Sequence, residues 1–218
     1  RFAQMHLDGY EHDEGLEATY TDLADRWILS QHDRTISSVT ASLGAYRFDE
    51  AARTLYEFVW NSFCDWYVEM AKVRLGGKDA AERRRVQGVL VHVLEGICRL
   101  LHPMVPFVTE ALWRELPHSG EALIVAPWPE ADESRLDEAA ERDMGIVQEV
   151  VGAVRNIRGT MRVPPGRRCE LLLRTPSHDT LKILEEARTY ICELVRADGY
   201  EAGADVTRPP GSARRSAP

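Results

Sequence analysis

The residues in this chain best suited to chemistry are arginines, and they are clustered. Residues 153–174 hold six of them (Arg155, Arg158, Arg162, Arg167, Arg168 and Arg174) against one acid, Glu170. Arg155, Arg158 and Arg162 are spaced three and four apart, which places them on one ridge of a helix. A second run, Arg83-Arg84-Arg85, lies close in sequence to Lys72, Arg74 and Lys78. Guanidinium forks match phosphate oxygens in pairs, so separated basic ridges on an otherwise acidic body can guide a polyanion into one groove. Charge alone leaves an equal reading open, in which these arginines are a solvated face balanced by the acidic stretch 130–143.

Catalytic patterns are missing. There is no G-x-x-x-x-G-K-[ST] phosphate loop, no G-x-S-x-G elbow and no H-E-x-x-H pair. His6 and His12 sit in an acidic loop that reads as solvated rather than as a metal site, and His32, His92 and His102 sit on or beside helices, where a lone histidine is more often a polar or packing residue than a general base. The four cysteines, Cys64, Cys98, Cys169 and Cys192, form no C-x-x-C pair and fall within apolar patterns, as buried free thiols do.

Composition sets the frame. Of 218 residues 44% are hydrophobic, enough for a real core, and the net charge of −8 argues against a protein that coats nucleic acid wholesale. No apolar run approaches the roughly 20 residues that span a bilayer. The first residue is Arg1 rather than methionine, which suggests a chain cut from a longer protein.

The element that must position everything else is 48–75, FDEAARTLYEFVWNSFCDWYVEMAKVRL. Ala52, Leu55, Val59, Phe63, Trp66, Met70 and Val73 recur at steps of three or four, the stripe of a helix. Asp49 is the expected cap, and Asp65, set among aromatics, is expected to meet an arginine of a neighbouring helix. A first helix starts at Thr21 or Asp22 with Ile28, His32, Ile36, Val39, Leu43 and Tyr46 on its stripe. A third starts at Asp79 and breaks at His102-Pro103, and a fourth follows with Phe107, Val108, Ala111, Leu112 and Leu116. Residues 123–129, LIVAPWP, read as an extended strap anchored by Trp128, and 130–143 read as water-facing. A fifth helix carries Met144, Val147, Val151, Val154, Ile157 and Met161 and ends before Pro164-Pro165-Gly166. Cys169, Leu171 and Leu173 alternate as in a strand, and a sixth helix runs from Ser177 to near Gly199. A single strand needs partners, which a missing segment or another chain would supply.

These patterns identify a family. DRWILSQHDRT at 25–35, YRFDEAARTLYEFVWNSFCDWYVEMAK at 46–72, RLLHPMVPFVTEALW at 99–113, APWPEAD at 126–132 and VRNIRGTMRVPPG at 154–166 together resemble class I aminoacyl-tRNA synthetases. The resemblance is strongest to the C-terminal part of the valyl-tRNA synthetase branch, and LLHPMVPF alone is shared across the Val/Ile/Leu/Met subgroup. It implies an all-α antiparallel bundle of the anticodon-binding type, with a small C-terminal α+β appendage. Lead-in 1–20, bundle 21–130, helix plus appendage 131–200 and disordered tail 201–218 are the expected divisions.

The H-I-G-H-type and K-M-S-K-S-type motifs of that family are absent, so the resemblance implies RNA binding without valine activation. ATP and magnesium would belong to the full-length enzyme, with no cofactor or metal in this chain. The implied partners are tRNA(Val) and the catalytic domain of the same polypeptide, in the cytoplasm, with neither membrane nor DNA. By resemblance the anticodon loop is met by Arg1 and Phe2, and by Arg26, Trp27 and Arg34 at the first helix, with Arg155, Arg158 and Arg162 as a further RNA-binding ridge. Unstacked loop bases suit aromatic platforms and arginine forks. Trp60, Trp66 and Asp65 are assigned to core packing. The rival readings are a helical protein-interaction module and the equivalent region of an isoleucyl or leucyl enzyme.

Overall fold

The computed structural model describes residues 2–7, 10 and 21–216. Residue packing divides the chain into two units, 1–138 and 139–218. The expected boundary at 130–131 lies inside the first unit, because the residues that follow it are tied back onto the bundle.

In the first unit a short α1 (Phe2–His6) precedes α2 (Leu23–Gly44). Asp22 caps α2 by accepting from Ala24 N–H at 2.8 Å, which satisfies one of the donors orphaned at a helix start. Of the expected α2 stripe Ile28, His32, Ile36 and Val39 are buried and Leu43 is half-buried, but Tyr46 lies past the end of the helix and is 81% exposed. A tight turn at Tyr46, whose φ is +58, reverses the chain. There Arg47 N–H reaches back to Ser42 O at 2.8 Å, closing the carbonyl end of α2.

The central rod is continuous but not uniform. It runs as α3 (Phe48–Glu57), a π-helical stretch over Phe58–Tyr67, and α4 (Val68–Leu75). Its helix begins at Phe48, so Asp49 lies in the first turn and makes no cap. The buried residues are Ala51, Leu55, Phe58, Phe63, Tyr67, Met70, Ala71 and Leu75. The five-residue step from Phe58 to Phe63 follows the i→i+5 ladder of a π-helix. The inward stripe departs from the expected positions: Ala51 and Phe58 are inside in place of Ala52, which is exposed, and Val59, which is half-buried; past the step Val73 is half-buried, and Trp60, assigned to core packing, is 52% exposed. Asp65 is exposed too.

After Gly76-Gly77, Asp79 caps α5 (Ala80–Leu101), accepting from Ala81 N–H at 2.9 Å and Glu82 N–H at 3.2 Å. α6 (Pro106–Trp113) opens on a proline, where the missing N–H costs nothing. α5 packs against α2, α4 and α6. Among the described residues, two clusters make up part of the core. One gathers Ile36, Val39, Ala51, Leu55 and Leu100, with Trp128 against its edge. The other gathers Leu7, Val91, Cys98, Trp113, Leu116 and Leu123.

The strap 123–129 lies against the bundle with Trp128 as its anchor, but it opens on a 3-10 turn, Leu123–Val125, rather than extended, and a second such turn, Glu133–Arg135, follows it. Trp128 Nε1–H donates to Thr40 Oγ1 at 2.8 Å, and Arg99 Nη1–H donates to Pro127 O at 2.7 Å. Asp132 N–H donates to Asp33 Oδ1 at 2.9 Å, and Asp137 N–H donates to Ser30 Oγ at 3.0 Å. The acidic stretch is thus partly spent on α2 rather than wholly on water.

α7 (Glu138–Thr160) leads into the second unit, which holds β1 (Cys169–Arg174), α8 (His178–Glu186), α9 (Arg188–Val195) and β2 (Ala197–Gly203). The expected single helix over 177–199 is two, divided at Ala187 and ended by Arg196 in the left-handed region at φ +57. The expected lone strand is not alone. β2 pairs with β1 in parallel, Leu171 opposite Tyr200 and Leu173 opposite Ala202. The connecting residues 175–196 supply the helical crossover that a parallel pair needs. The sequence ADGYEAG lacks the alternating β-branched residues of a half-buried strand, so β2 leaves little trace in the pattern.

Candidate nucleic-acid interface

One end of the first unit collects α1, the start of α2, the end of α4 and the start of α5. The junction is a buried ion-pair network. Arg74 donates from Nη1 and Nη2 to the two oxygens of Asp25 at 2.7 Å each, and Tyr67 Oη–H donates to Asp25 Oδ1 at 2.9 Å. Arg74 Nη1 also lies 3.3 Å from Asp22, and its Nε pairs with Glu82. Burial pushes the Asp25 carboxyl above its ordinary value against the opposing pull of Arg74. Burial acts in the same direction on Glu82, but there Arg74 and Arg85 win and hold it below the usual carboxylate range. The acid that meets an arginine inside the bundle is Asp25, not the expected Asp65.

This network fixes the α4–α5 hairpin, whose outer surface is basic. Residues 72–85 hold six basic side chains against two acids, within a unit that carries 14 basic and 24 acidic ones. Arg74, Arg83 and Arg85 are engaged: Arg83 Nη1–H donates to Leu75 O at 3.3 Å and Arg85 pairs with Glu82 at 2.8 Å. Lys72, Lys78 and Arg84 are exposed.

An aromatic sits beside them. Phe2 is half-buried, its ring centroid 4.7 Å from that of His6, with Lys72 Nζ 5.5 Å from the Phe2 centroid. Lys72 also pairs with Glu69 at 2.5 Å. α1 is held to α5 by Gln87 Nε2–H donating to His6 O at 2.5 Å. A ring flanked by an ammonium and an imidazole combines what a stacked base and its phosphate require.

The other expected contacts are placed differently. Arg1 lies outside the described residues. Trp27 is buried, 4% exposed, so its part is packing rather than a platform in this conformation. Arg26 Nε lies 3.6 Å from Asp137 and Arg34 Nη2 3.8 Å from Glu138, so both face acids at the strap's end. Phe2 and Lys72 are therefore brought together, while Arg26 and Arg34 lie along the face of α2 toward the strap. His6 is four residues from Phe2 on α1, a local helical pair, but no local pattern links Lys72 to Phe2, because that proximity depends on how α1 docks.

In the second unit the three-arginine ridge is not a ridge. α7 ends at Thr160, and Arg162 lies past it with φ +50, in a turn where Val163 N–H reaches Arg158 O at 2.9 Å. Arg158 Nη2 donates to Pro164 O at 3.1 Å and Arg167 O at 2.7 Å, and its Nη1 to Cys169 Sγ at 3.2 Å. It staples the loop between α7 and β1 (the arginine is spent on carbonyls). Arg155, Arg162 and Arg167 are exposed. Arg168 is exposed as well, with Nη1–H donating to Ala197 O at 3.1 Å.

Among the described residues no group of three or more His, Cys, Asp or Glu side chains could hold a metal ion, and no helix is long and apolar enough to cross a membrane.

Residues 25–173 match the family model for the anticodon-binding domain of tRNA ligases. The chain is 41% identical over 206 residues to a valine–tRNA ligase of Bacillus licheniformis, covering 94% of this chain and 23% of that protein. It is 39% identical over 209 residues to that of Halalkalibacterium halodurans, covering 96% and 24%. With the enzyme of Bacillus subtilis it shares 38% over 206 residues, covering 94% and 23%. The chain thus spans about a quarter of the length of the curated relatives it matches. The all-α bundle, its basic hairpin and the family match over most of its length agree: this chain belongs to the anticodon-binding domains of tRNA ligases.

Proposed function

We propose that this chain is the tRNA-binding region of a cytoplasmic valine–tRNA ligase. It holds tRNA(Val) by the anticodon arm for a catalytic domain in the same polypeptide, where ATP and magnesium act. The observation that carries the reading is the basic hairpin of Lys72, Lys78 and Arg84 beside the Phe2 ring, on a unit that is otherwise acidic. A polyanion drawn to this acidic unit is steered to that end by local potential. Phe2 and Arg1 then meet loop bases, and the exposed lysines and arginine meet phosphates. That the relatives are valine–tRNA ligases supports valine as the amino acid. Arg155 and Arg162 serve as a second set of phosphate contacts, with Arg158 shaping their loop.

The test is a fluorescence titration with valine tRNA, with the same tRNA carrying a swapped anticodon, and with isoleucine and leucine tRNAs. The reading expects the tightest binding for the valine anticodon and a steep loss with added salt. Equal affinity for all four RNAs would overturn it.

A further inference from the structure

The acidic segment that follows the strap lays two carboxylates beside two arginines of α2. Arg26, Ser30 and Arg34 come at steps of four, so they form one row along that helix. The segment lies along the row. Ser30 is 0% exposed and its Oγ accepts from Asp137 N–H at 3.0 Å. To one side Arg26 Nε lies 3.6 Å from Asp137 Oδ2, and to the other Arg34 Nη2 lies 3.8 Å from Glu138 Oε1.

Both gaps are longer than a hydrogen bond. The side chains are partly open to water, 40% and 29% in the first pair and 42% and 80% in the second. Ion pairs of this kind are weak and exchange readily. Arg26 Nε is also buried with no hydrogen-bond acceptor among the described residues, so its guanidinium is neutralised without being satisfied. The segment itself is held by its backbone: Asp137 N–H reaches Ser30 Oγ, and Asp132 N–H reaches Asp33 Oδ1 at 2.9 Å. A change of partner at the two carboxylates leaves those anchors in place.

We propose that the row of Arg26, Ser30 and Arg34 is a further phosphate-binding site of the first unit, which Asp137 and Glu138 occupy in the free chain as stand-ins for phosphate. RNA takes the two arginines by displacing the carboxylates, which turn to solvent while the backbone stays on Ser30. This rests on the reading of the chain as a tRNA-binding region. A guanidinium that exchanges a carboxylate 3.6 Å away for a phosphate fork gains paired charge-assisted hydrogen bonds. Eight residues of helix separate the two arginines by about 12 Å, a spacing that suits separate phosphates of one strand better than one small anion. The row starts one residue after Asp25, the acid that fixes the basic hairpin through Arg74, so both basic features begin at the same end of the bundle. The acids set the threshold: a polyanion reaches the row only by outcompeting them.

A mutant cycle read by fluorescence titration with valine tRNA at fixed salt tests this. Asp137→Asn with Glu138→Gln is expected to tighten binding about three- to tenfold, as two exposed ion pairs would. The gain should vanish when Arg26→Gln and Arg34→Gln are added. Glu57→Gln with Asp65→Asn, at two exposed acids of the central rod, is the control for overall charge and should give less than about a twofold change. Glu138→Gln alone, at a side chain 80% exposed, carries half of the test where folding is undisturbed, and its gain should vanish with Arg34→Gln. No gain overturns the proposal. So does a gain that survives loss of the arginines or is matched by the control, since either would mean general repulsion. Titration of the unaltered chain with an anticodon-swapped tRNA separates the two readings. Equal affinity there with the coupling intact refutes the assigned function, while anticodon preference without coupling refutes the masked site.

Discussion

Arg74 and Asp25 face each other in a two-pronged ion pair, both bonds 2.7 Å long, with side chains 7% and 0% exposed. They come from the end of α4 and the first turn of α2, so one contact sets the register of two long helices and the position of the basic hairpin. Its energetics are asymmetric, because removing one partner leaves the other charge buried. Arg74→Met is expected to lower stability by about 3–5 kcal/mol, and Arg74→Met with Asp25→Leu to recover most of that loss. Urea midpoints of the two single variants and the double variant check this. A double variant as unstable as the sum of the singles would show that the pair does not act as a unit.

A second buried polar group gives a pH dependence. His32 lies between Phe58 and His92, with ring centroids 5.7 and 5.3 Å away, and neither of its ring nitrogens has a hydrogen-bond partner. Burial, then His92 and Arg135, lower its pKa to about 3. Arg135 Nη1 lies 3.1 Å from His92 Nε2, which ties the turn at Glu133–Arg135 to α5 beside this site. The unfolded chain binds a proton at His32 below its ordinary value of 6.5, and the folded chain does not until about 3. Its contribution to stability is therefore full above 6.5 and lost as pH falls through that window, by at most about 1.4 kcal/mol per pH unit. Denaturation midpoints between about pH 4 and 7 are expected to fall less steeply for His32→Leu than for the unaltered chain. Parallel slopes would refute the assignment.

The same site makes a steric prediction. A Cβ built on Gly96 would overlap the His32 ring at Nε2 and Cε1, so helix α5 passes α2 with room for no side chain there. Gly96→Ala gains helix propensity of about 1 kcal/mol, yet overpacking outweighs it, with an expected net loss of about 1–3 kcal/mol. Combining it with His32→Ala should restore part of that loss, measured by thermal melting.

The central rod shows where the sequence was legible and where it was not. Its existence, the caps at Asp22 and Asp79 on the neighbouring helices, and the break at Pro103 follow from local chemistry that acts within four residues. The inward face of its middle third did not follow, because a 3.6-residue period does not hold through a stretch that winds as a π-helix. Leu55, Phe63 and Met70 satisfy both registers, which hides the shift; Phe58, buried, and Val59, half-buried, separate them, and Trp60 is outward in the observed one. Phe58→Ala is expected to cost about 3–5 kcal/mol, as a cavity in the core does, and Trp60→Ala less than about 1 kcal/mol. Chemical denaturation of the two variants decides the register. The same limit of local reading applies to β2 and to the docking of α1, both of which depend on residues distant in sequence.

The basic hairpin makes the last prediction, and it separates phosphate binding from packing. Lys72, Lys78 and Arg84 are exposed, so replacing any of them by Gln leaves the Asp25–Arg74 network and the core untouched. Each phosphate left without its cation should reduce the slope of log K against log salt by about 0.7 on a single-stranded loop, and by nearer 0.9 on a duplex. The triple variant is therefore expected to bind valine tRNA with a slope shallower by about 2 and an unchanged melting temperature. Phe2→Leu, which keeps bulk but removes the aromatic face, should weaken binding by about 1–3 kcal/mol while leaving the slope unaltered. The two effects are read in one titration series across salt concentrations. A triple variant with the original slope would place the phosphate-binding residues elsewhere, and the exposed Arg155, Arg162 and Arg167 of the second unit would be the next residues to change.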